Sequence, residues 1–331
     1  MNKELTHVLI IRKLEEKNLR HLEENLSGGI SLHFTDKEYD LGSISVLVSG
    51  RSDRSVVEEL TNLKYLIIPF AGLSEELRAY LPDFPTLSVH NLHHNAVPVA
   101  ENTIALLMAA AKNIIPPHNA LMNADWRPRY VSNPSRLLHG KTILILGYGT
   151  IGKHIAKYLK PYDMLIMATR NSIESRYEED GVTVYPASQT MSLLSEANYL
   201  IIALPLTTET ENLIGEKEIN SLPDGAVLVN IGRGKIVNQK ALYEGLSSGK
   251  LGAAAIDVWY NYPKEEADRA NTPSSDYPLH ELDNIVMSPH RAGGVNSEDT
   301  ERFRMEHLAR LLNLISEGKE LPNKVDLTQG Y

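Results

Sequence analysis

At 331 residues the chain is long for a single core, and two domains are expected. A formal net charge of −9 argues against a nucleic-acid or anionic-membrane partner, and the absence of cysteine excludes disulfides, thiolate metal ligands and a thiol nucleophile. The amino terminus, MNKELTHVLIIRKLEEK, reads as neither a secretory signal nor a membrane span, and no later apolar run is long enough to span; a soluble, cytoplasmic protein is expected.

In the first hundred residues, THVLII, SLHFT, SVLVSG, LKYLIIP and TLSVHN are rich in Val, Ile and Leu and read as strands, separated by amphipathic stretches such as KLEEKNLRHLEENL. That alternation predicts a small α/β unit with a parallel sheet. From Val99 to Ile115, VAENTIALLMAAAKNII predicts a buried helix that stops at Pro116-Pro117. The stretch from Pro116 to Gly140, with Trp126 and several arginines, shows little regular pattern and reads as a surface arm.

From Lys141 the alternation is clearer. TILILG, MLIMAT, VTVYP, NYLIIAL, AVLVNIG, GAAAIDVW and NIVMSP are strand-like, with helices such as Ile151–Lys160 and Gln239–Leu246 between them. Continuously apolar strands indicate a sheet covered on both faces. A final amphipathic helix, about Glu298 to Leu314, closes the chain and is expected to return to the first domain. The predicted domains are therefore 1–98 with 292–331, and 99–291 inserted between them.

The first strand of the second alternation ends in GYGTIG, a G-x-G-x-x-G pattern between a strand and a helix. In that setting Gly147 permits the tight turn, Gly149 lets backbone approach a pyrophosphate, and Gly152 permits close helix–strand packing. The helix amino terminus attracts the phosphates, so Gly147, Tyr148, Gly149, Thr150, Ile151 and Gly152 are expected to cradle a dinucleotide. NAD-binding chains place Asp or Glu at the end of the next strand. Here Thr169, Arg170 and Asn171 stand there, residues suited to a 2′-phosphate. NADP(H) is the expected cofactor, with NAD(H) as the alternative.

The ordered blocks GYGTIGKHIA, ALPLTTETENLIG, GAVLVNIGRGKIVNQKAL, GAAAIDVW and SPHRAGG, with IIPFAGL and VPVAENTIALLMA earlier, resemble the D-isomer-specific 2-hydroxyacid dehydrogenases over nearly the whole chain. The resemblance implies an α/β protein with a Rossmann-type doubly wound parallel sheet, a smaller flavodoxin-like substrate domain, a cleft between them and a homodimer. It implies hydride transfer between the nicotinamide and a small 2-oxoacid or D-2-hydroxyacid, of the glyoxylate or hydroxypyruvate kind. By the same resemblance Arg233 binds the substrate carboxylate and polarises its carbonyl, and His290 is the acid/base. Asp257 stands near the nicotinamide, while Leu204, Pro205, Ile231 and Gly232 face the cofactor. The backbone at Ala71 and Gly72 holds the carboxylate, Arg51 adds a cation, and His93 lies with His94 in a loop beside the substrate.

One position departs from the pattern. Most members carry a glutamate that pairs with the catalytic histidine and raises its pKa. In DVWYNYP that position is Tyr262. Tyr262 orients His290 at a lower pKa, or Glu265 or Glu266 folds back in its place, or the enzyme is specialised on another acid. A bulkier 2-oxoacid, with Trp259, Tyr260 and Tyr262 shaping the pocket, and a nucleotide-responsive sensor with little turnover are the competing functions.

Overall fold

Apolar strands alternating with helices fold here into two parallel sheets. A computed structural model describes residues 5–132, 134–294 and 297–327, and the chain divides into two units, Met1–Asn95 with Gly294–Tyr331, and Ala96–Gly293. Among the described residues no helix is long and apolar enough to cross a membrane.

The first unit contains β1 (Thr6–Ile10), α1 (Glu16–Glu24), β2 (Ile30–Phe34), β3 (Val46–Val48), α2 (Arg54–Glu59), β4 (Tyr65–Ile68), α3 (Glu75–Tyr80) and β5 (Ser88–Asn91). Its sheet order, β2-β1-β3-β4-β5 with every pair parallel, is the flavodoxin-like order. Alternate residues serve opposite faces. Leu9, Leu47, Leu66 and Val89 pack with Val57 of α2 and Leu77 of α3, while Val8, Ile10, Val46 and Ile67 pack on the other side.

The second unit runs through α4 (Ala96–Ala111), α5 (Ile115–Met122), β6 (Thr142–Leu146), α6 (Thr150–Leu159), β7 (Leu165–Arg170), β8 (Tyr177–Glu179) and β9 (Val182–Pro186). It continues with α7 (Thr190–Leu194), β10 (Tyr199–Ile202), α8 (Glu216–Ser221), β11 (Ala226–Asn230), α9 (Gln239–Ser247), β12 (Leu251–Ile256) and β13 (Ile285–Met287). The sheet order is β13-β12-β11-β10-β6-β7-β9-β8, a doubly wound sheet whose order reverses beside β6 and whose edge strand β8 alone is antiparallel. The continuous apolar strands have their cause in the packing. Ile143 and Ile145 of β6 face α4 and α6, and Leu144 and Leu146 face α7, α8 and α9. Each such buried side chain contributes about 1.5–3 kcal/mol by leaving water.

Two expectations for the middle of the chain need correction. The long apolar helix ends at Ala111, not at Pro116-Pro117, because Asn113 turns to a left-handed backbone (φ 51) and the Ile114 N–H closes onto the Ala109 carbonyl at 3.0 Å. The two prolines instead occupy the first turn of α5, where a missing N–H costs nothing, so the stretch that looked patternless starts with a helix.

The chain then returns to the first unit through α10 (Glu298–Glu317), whose Met305, Leu308 and Leu312 cover Val8, Ile10 and Ile67. Gly318 ends it with φ 68, and the tail adds to the edge of β5 through Asn91 N–H to the Asn323 carbonyl (3.2 Å) and Val325 N–H to the Val89 carbonyl (2.9 Å).

Candidate active site

The carboxyl ends of β6, β7, β10, β11, β12 and β13 gather the residues singled out in the second unit. Beside the switch point, Gly147 has φ +100, and a Cβ there would stand 2.7 Å from the Ala203 carbonyl oxygen. The Gly147 and Tyr148 N–H groups both donate to the Thr169 carbonyl, at 3.2 and 2.9 Å, which ties the loop to the end of β7. Gly152 lies so close to the Gly147 carbonyl that any side chain would collide with it. Gly149 is different. It sits at the amino end of α6, next to Thr150 and Ile151, and a Cβ there meets nothing within 4 Å. The loop is thus closed against protein at the first and third glycines and open at the second, the arrangement a pyrophosphate requires. Burial first, then the Glu179 charge, pushes the Tyr148 phenol up to about 12. At the end of β7, Thr169 is buried, whereas Arg170 and Asn171 are exposed, and Arg170 Nε donates to the Ser172 hydroxyl at 2.8 Å. Leu204, just after β10 and followed by Pro205, lies beside Gly147 and beside Gly232, where a Cβ would stand 2.5 Å from the Leu204 carbonyl oxygen.

After β11 comes Ile231-Gly232-Arg233. Asn230, buried at 1% exposure, holds this turn from both ends: its Oδ1 accepts from Gly232 N–H at 3.1 Å and its Nδ2 donates to the Arg233 carbonyl at 3.0 Å. Sequence reasoning missed Asn230; the signal was a polar residue closing an otherwise apolar run, AVLVN. The Arg233 side chain is exposed, with Nη1 donating to the Gly232 carbonyl at 2.7 Å. Gly234 abuts the Trp259 backbone too closely for a side chain, so the Arg233 turn and the Trp259–Tyr262 turn share one position.

Asp257, 1% exposed at the end of β12, engages both carboxylate oxygens with the loop after β13. Oδ1 accepts from the Ser288 hydroxyl and from Arg291 N–H (2.9 Å), and Oδ2 from Ala292 N–H (3.0 Å). Between those anchors His290 takes a left-handed backbone, φ 57, which an L residue adopts only when its surroundings impose it. Trp259 Nε1 adds a bond to the Ser288 carbonyl (2.8 Å), and Tyr260 Oη donates to the Val237 carbonyl (2.9 Å). Both aromatic side chains therefore brace loops.

The Tyr262 hydroxyl lies 2.9 Å from His290 Nδ1 and accepts from Trp259 N–H at 3.0 Å. With its oxygen accepting from the backbone, the phenol donates to Nδ1, and the proton of the neutral imidazole rests on Nε2. Of the other carboxylates weighed for this place, Glu266 pairs with Arg269 at 2.6 Å and Glu265 caps a short 3₁₀ turn, so neither reaches His290. His290 is exposed as a residue, yet the covering of its ring lowers its pKa from the ordinary value. The Arg233 charge lowers it further, and Asp257 opposes. Burial of the hydroxyl raises the Tyr262 pKa, against the opposing Trp259 bond and Arg233 charge.

The remaining predicted residues belong to the first unit, at the carboxyl ends of its strands. Arg51 follows β3, its carbonyl held by the Ser49 hydroxyl at 2.9 Å. Ala71 and Gly72 follow β4, with the Ala71 carbonyl accepting from Asn91 Nδ2 at 2.7 Å. His93 follows β5, and burial, then the His307 charge, lowers its pKa.

A doubly wound sheet with a glycine loop open at its second glycine defines a dinucleotide-binding protein of the Rossmann type. Residues 104–292 match the family model described as D-isomer specific 2-hydroxyacid dehydrogenase, NAD binding domain, and the chain belongs to that family. It is 27% identical over 329 residues to a D-3-phosphoglycerate dehydrogenase of Methanocaldococcus jannaschii, covering 98% of this chain but 60% of that relative's length. It is 28% identical to a glyoxylate reductase of Pyrococcus furiosus, with 96% of this chain and 95% of that protein covered. Among solved structures, a D-isomer specific 2-hydroxyacid dehydrogenase from Xanthobacter autotrophicus Py2, in complex with NADPH and MES, shares the fold with a TM-score of 0.80 at 22% identity, covering 99% of this chain and 100% of that one.

Proposed function

We propose that the protein is an NADP(H)-dependent reductase that converts a small 2-oxoacid to the D-2-hydroxyacid. The observation that carries this reading is the convergence of a guanidinium and an imidazole: Arg233 lies near enough to His290 for its charge to depress the ring's pKa, on loops fixed by Asn230 and Asp257. When bound, the nicotinamide supplies the hydride. Arg233 holds the substrate carboxylate and draws electron density toward the carbonyl oxygen, and His290 gives that oxygen a proton from Nε2. Tyr262 orients the ring. In the protonated ring Nδ1 donates to the Tyr262 oxygen, a neutral acceptor in place of a carboxylate, so the donor form is retained only at lower pH. Within the first unit, Arg51, the Ala71–Gly72 backbone and His93 are the groups suited to bind a small acid.

The exposed Arg170–Ser172 pair supports a 2′-phosphate, and the Xanthobacter relative was solved with NADPH. Glyoxylate or hydroxypyruvate fits the class, since the Pyrococcus relative is a glyoxylate reductase. Initial rates of NADPH and NADH oxidation over a panel of 2-oxoacids test the reading, and NADPH-dependent turnover is expected. Arg170→Asp is expected to move the preference toward NADH; a retained preference for NADPH would refute the cofactor assignment. The neutral phenol at Nδ1 favours one second reading, a nucleotide-responsive sensor. Tight NADPH binding without turnover of any acid would select it. The exposed apolar side chains of Ile114, Leu121, Met122, Trp126, Tyr130 and Leu137 support a homodimer, which sedimentation equilibrium tests.

A further inference from the structure

The glycine loop is tied to the edge of its own sheet by a carboxylate that the cofactor reading leaves without a task. Tyr148, between the first two glycines, is 4% exposed and buries its ring in the core shared by α4, α6 and the strands β7 and β9, with Tyr177 of β8 packed against it. Lys153, in the first turn of α6, donates its backbone N–H to the Gly149 carbonyl at 2.9 Å. Its ammonium stands 5.4 Å from the centroid of the Tyr148 ring and pairs with Glu179 Oε1 at 2.8 Å. Glu178 faces the other way, its carboxylate accepting from the Thr183 hydroxyl at 2.7 Å. One loop residue, one helix residue and one edge-strand residue thus meet on the α6 side of the sheet.

The charge at this meeting point is negative. The Lys153 hydrogen bond and charge, then the Tyr148 hydroxyl and the Arg170 charge, hold the Glu179 carboxyl below its ordinary range, against its burial. The carboxylate is therefore ionised at working pH. It feels Arg170 across β9, on which Arg170 pairs with Pro186 and Glu179 with Val182. An anion within reach of Arg170 opposes a second anion brought to that arginine. The pair with Lys153 also occupies a cation at the end of α6 that attracts phosphate. Lys153 and Glu179 keep 43% and 36% of their side-chain surface, so the pair is partly wet and costs little to exchange.

We propose that Glu179 is a specificity-determining residue whose charge, together with its hold on Lys153, restrains affinity for the 2′-phosphorylated dinucleotide and narrows the gap between NADPH and NADH. The proposal rests on the reading of Arg170 as the 2′-phosphate residue. NADH lacks that phosphate, so the carboxylate bears on it far less. The effect acts through space and is screened by salt, which a merely structural role for Glu179 would not be.

The test is fluorescence titration of NADPH and of NADH into wild type, Glu179→Gln and Glu179→Asp, at low and at high ionic strength. Glu179→Gln is expected to move the ratio of the two Kd values toward NADPH by about three- to tenfold at low salt, through tighter NADPH, and by much less at high salt. Glu179→Asp keeps the charge and is expected to keep the wild-type ratio. Adding Lys153→Met to Glu179→Gln is expected to remove part of the gain; a double variant that keeps all of it overturns the part given to Lys153. An unchanged ratio in Glu179→Gln, an equal change for both dinucleotides, or a shift as large in Glu179→Asp overturns the proposal. The Arg170 reading is judged separately. If wild type prefers NADH and Arg170→Asp leaves that preference where it was, the Arg170 reading fails, while the Glu179→Gln ratio still decides the effect of the carboxylate.

Discussion

The Tyr262 hydroxyl stands 2.9 Å from Nδ1 of His290, where the family pattern places a carboxylate. The difference sets the sign of a pH effect. The pKa of His290 is lowered, and in the proposed reaction the protonated ring is the donor, so reduction is expected to fall as pH rises through that lowered value. Hydroxyacid oxidation needs the neutral ring with its proton on Nδ1, donated to the Tyr262 oxygen, and Nε2 open to accept, and is expected to rise over the same interval. Tyr262→Glu supplies a charge that favours imidazolium and is expected to move the reductive limb of the kcat/KM profile up by about 1–2 pH units. Tyr262→Phe leaves Nδ1 without its partner and is expected to lower kcat several-fold. A Tyr262→Glu profile identical to the wild type's would remove Tyr262 from the proton path.

Asp257 carries three donors from one loop, and its function in this structure is to impose the backbone of His290. Asn at this position offers an amide where Ala292 N–H or Arg291 N–H needs an acceptor, so a buried donor is left facing another donor. Asp257→Asn is expected to cost about 1–3 kcal/mol of stability and to depress kcat more than the affinity for NADPH. Thermal unfolding and NADPH titration of the same protein separate these effects. A large loss of activity at unaltered stability would instead assign Asp257 a direct part in the chemistry.

Much of this site was legible in the sequence because its signals are local. The glycine loop between β6 and α6 declares itself by spacing, since Gly147 and Gly152 meet backbone that no side chain could share. Apolar strands such as TILIL announce a sheet covered on both faces. The illegible parts depend on distant segments. Nothing near Tyr262 in the chain says that its oxygen accepts from Trp259 and meets a histidine 28 residues later. Asn230 was missed although its partners lie only two and three residues on, because a polar residue closing an apolar run does not say which groups it will hold. The prolines at 116 and 117 misled because a proline ends a helix or begins one according to its place in the turn, and the deciding residue was Asn113.

The second glycine of the loop allows a substitution that separates folding from cofactor binding. A Cβ at Gly149 meets no protein atom within 4 Å, and φ −89 suits any residue. Gly149→Val is therefore expected to leave the unfolding temperature of the cofactor-free protein within a few degrees of wild type while weakening NADPH at least tenfold. Gly152→Val, which drives into the Gly147 carbonyl, is expected to lose stability as well. Calorimetric unfolding and fluorescence titration of NADPH check both, and full-strength NADPH binding by Gly149→Val would place the pyrophosphate elsewhere.

Arg233 is exposed at the end of a turn whose backbone Asn230 holds at Gly232 and at the Arg233 carbonyl. Arg233→Ala is expected to lower kcat/KM for a 2-oxoacid by about 10²–10³ while leaving NADPH affinity nearly intact. Arg233→Lys keeps the charge but loses the forked geometry and is expected to recover only part of the rate. Removing the guanidinium also lifts the charge that, beside burial, depresses His290, so the residual activity of Arg233→Ala is expected to fall off at a higher pH than that of the wild type. A rate loss with no such displacement would mean that the two side chains act on the substrate without feeling each other, and the electrostatic link between them would have to be abandoned.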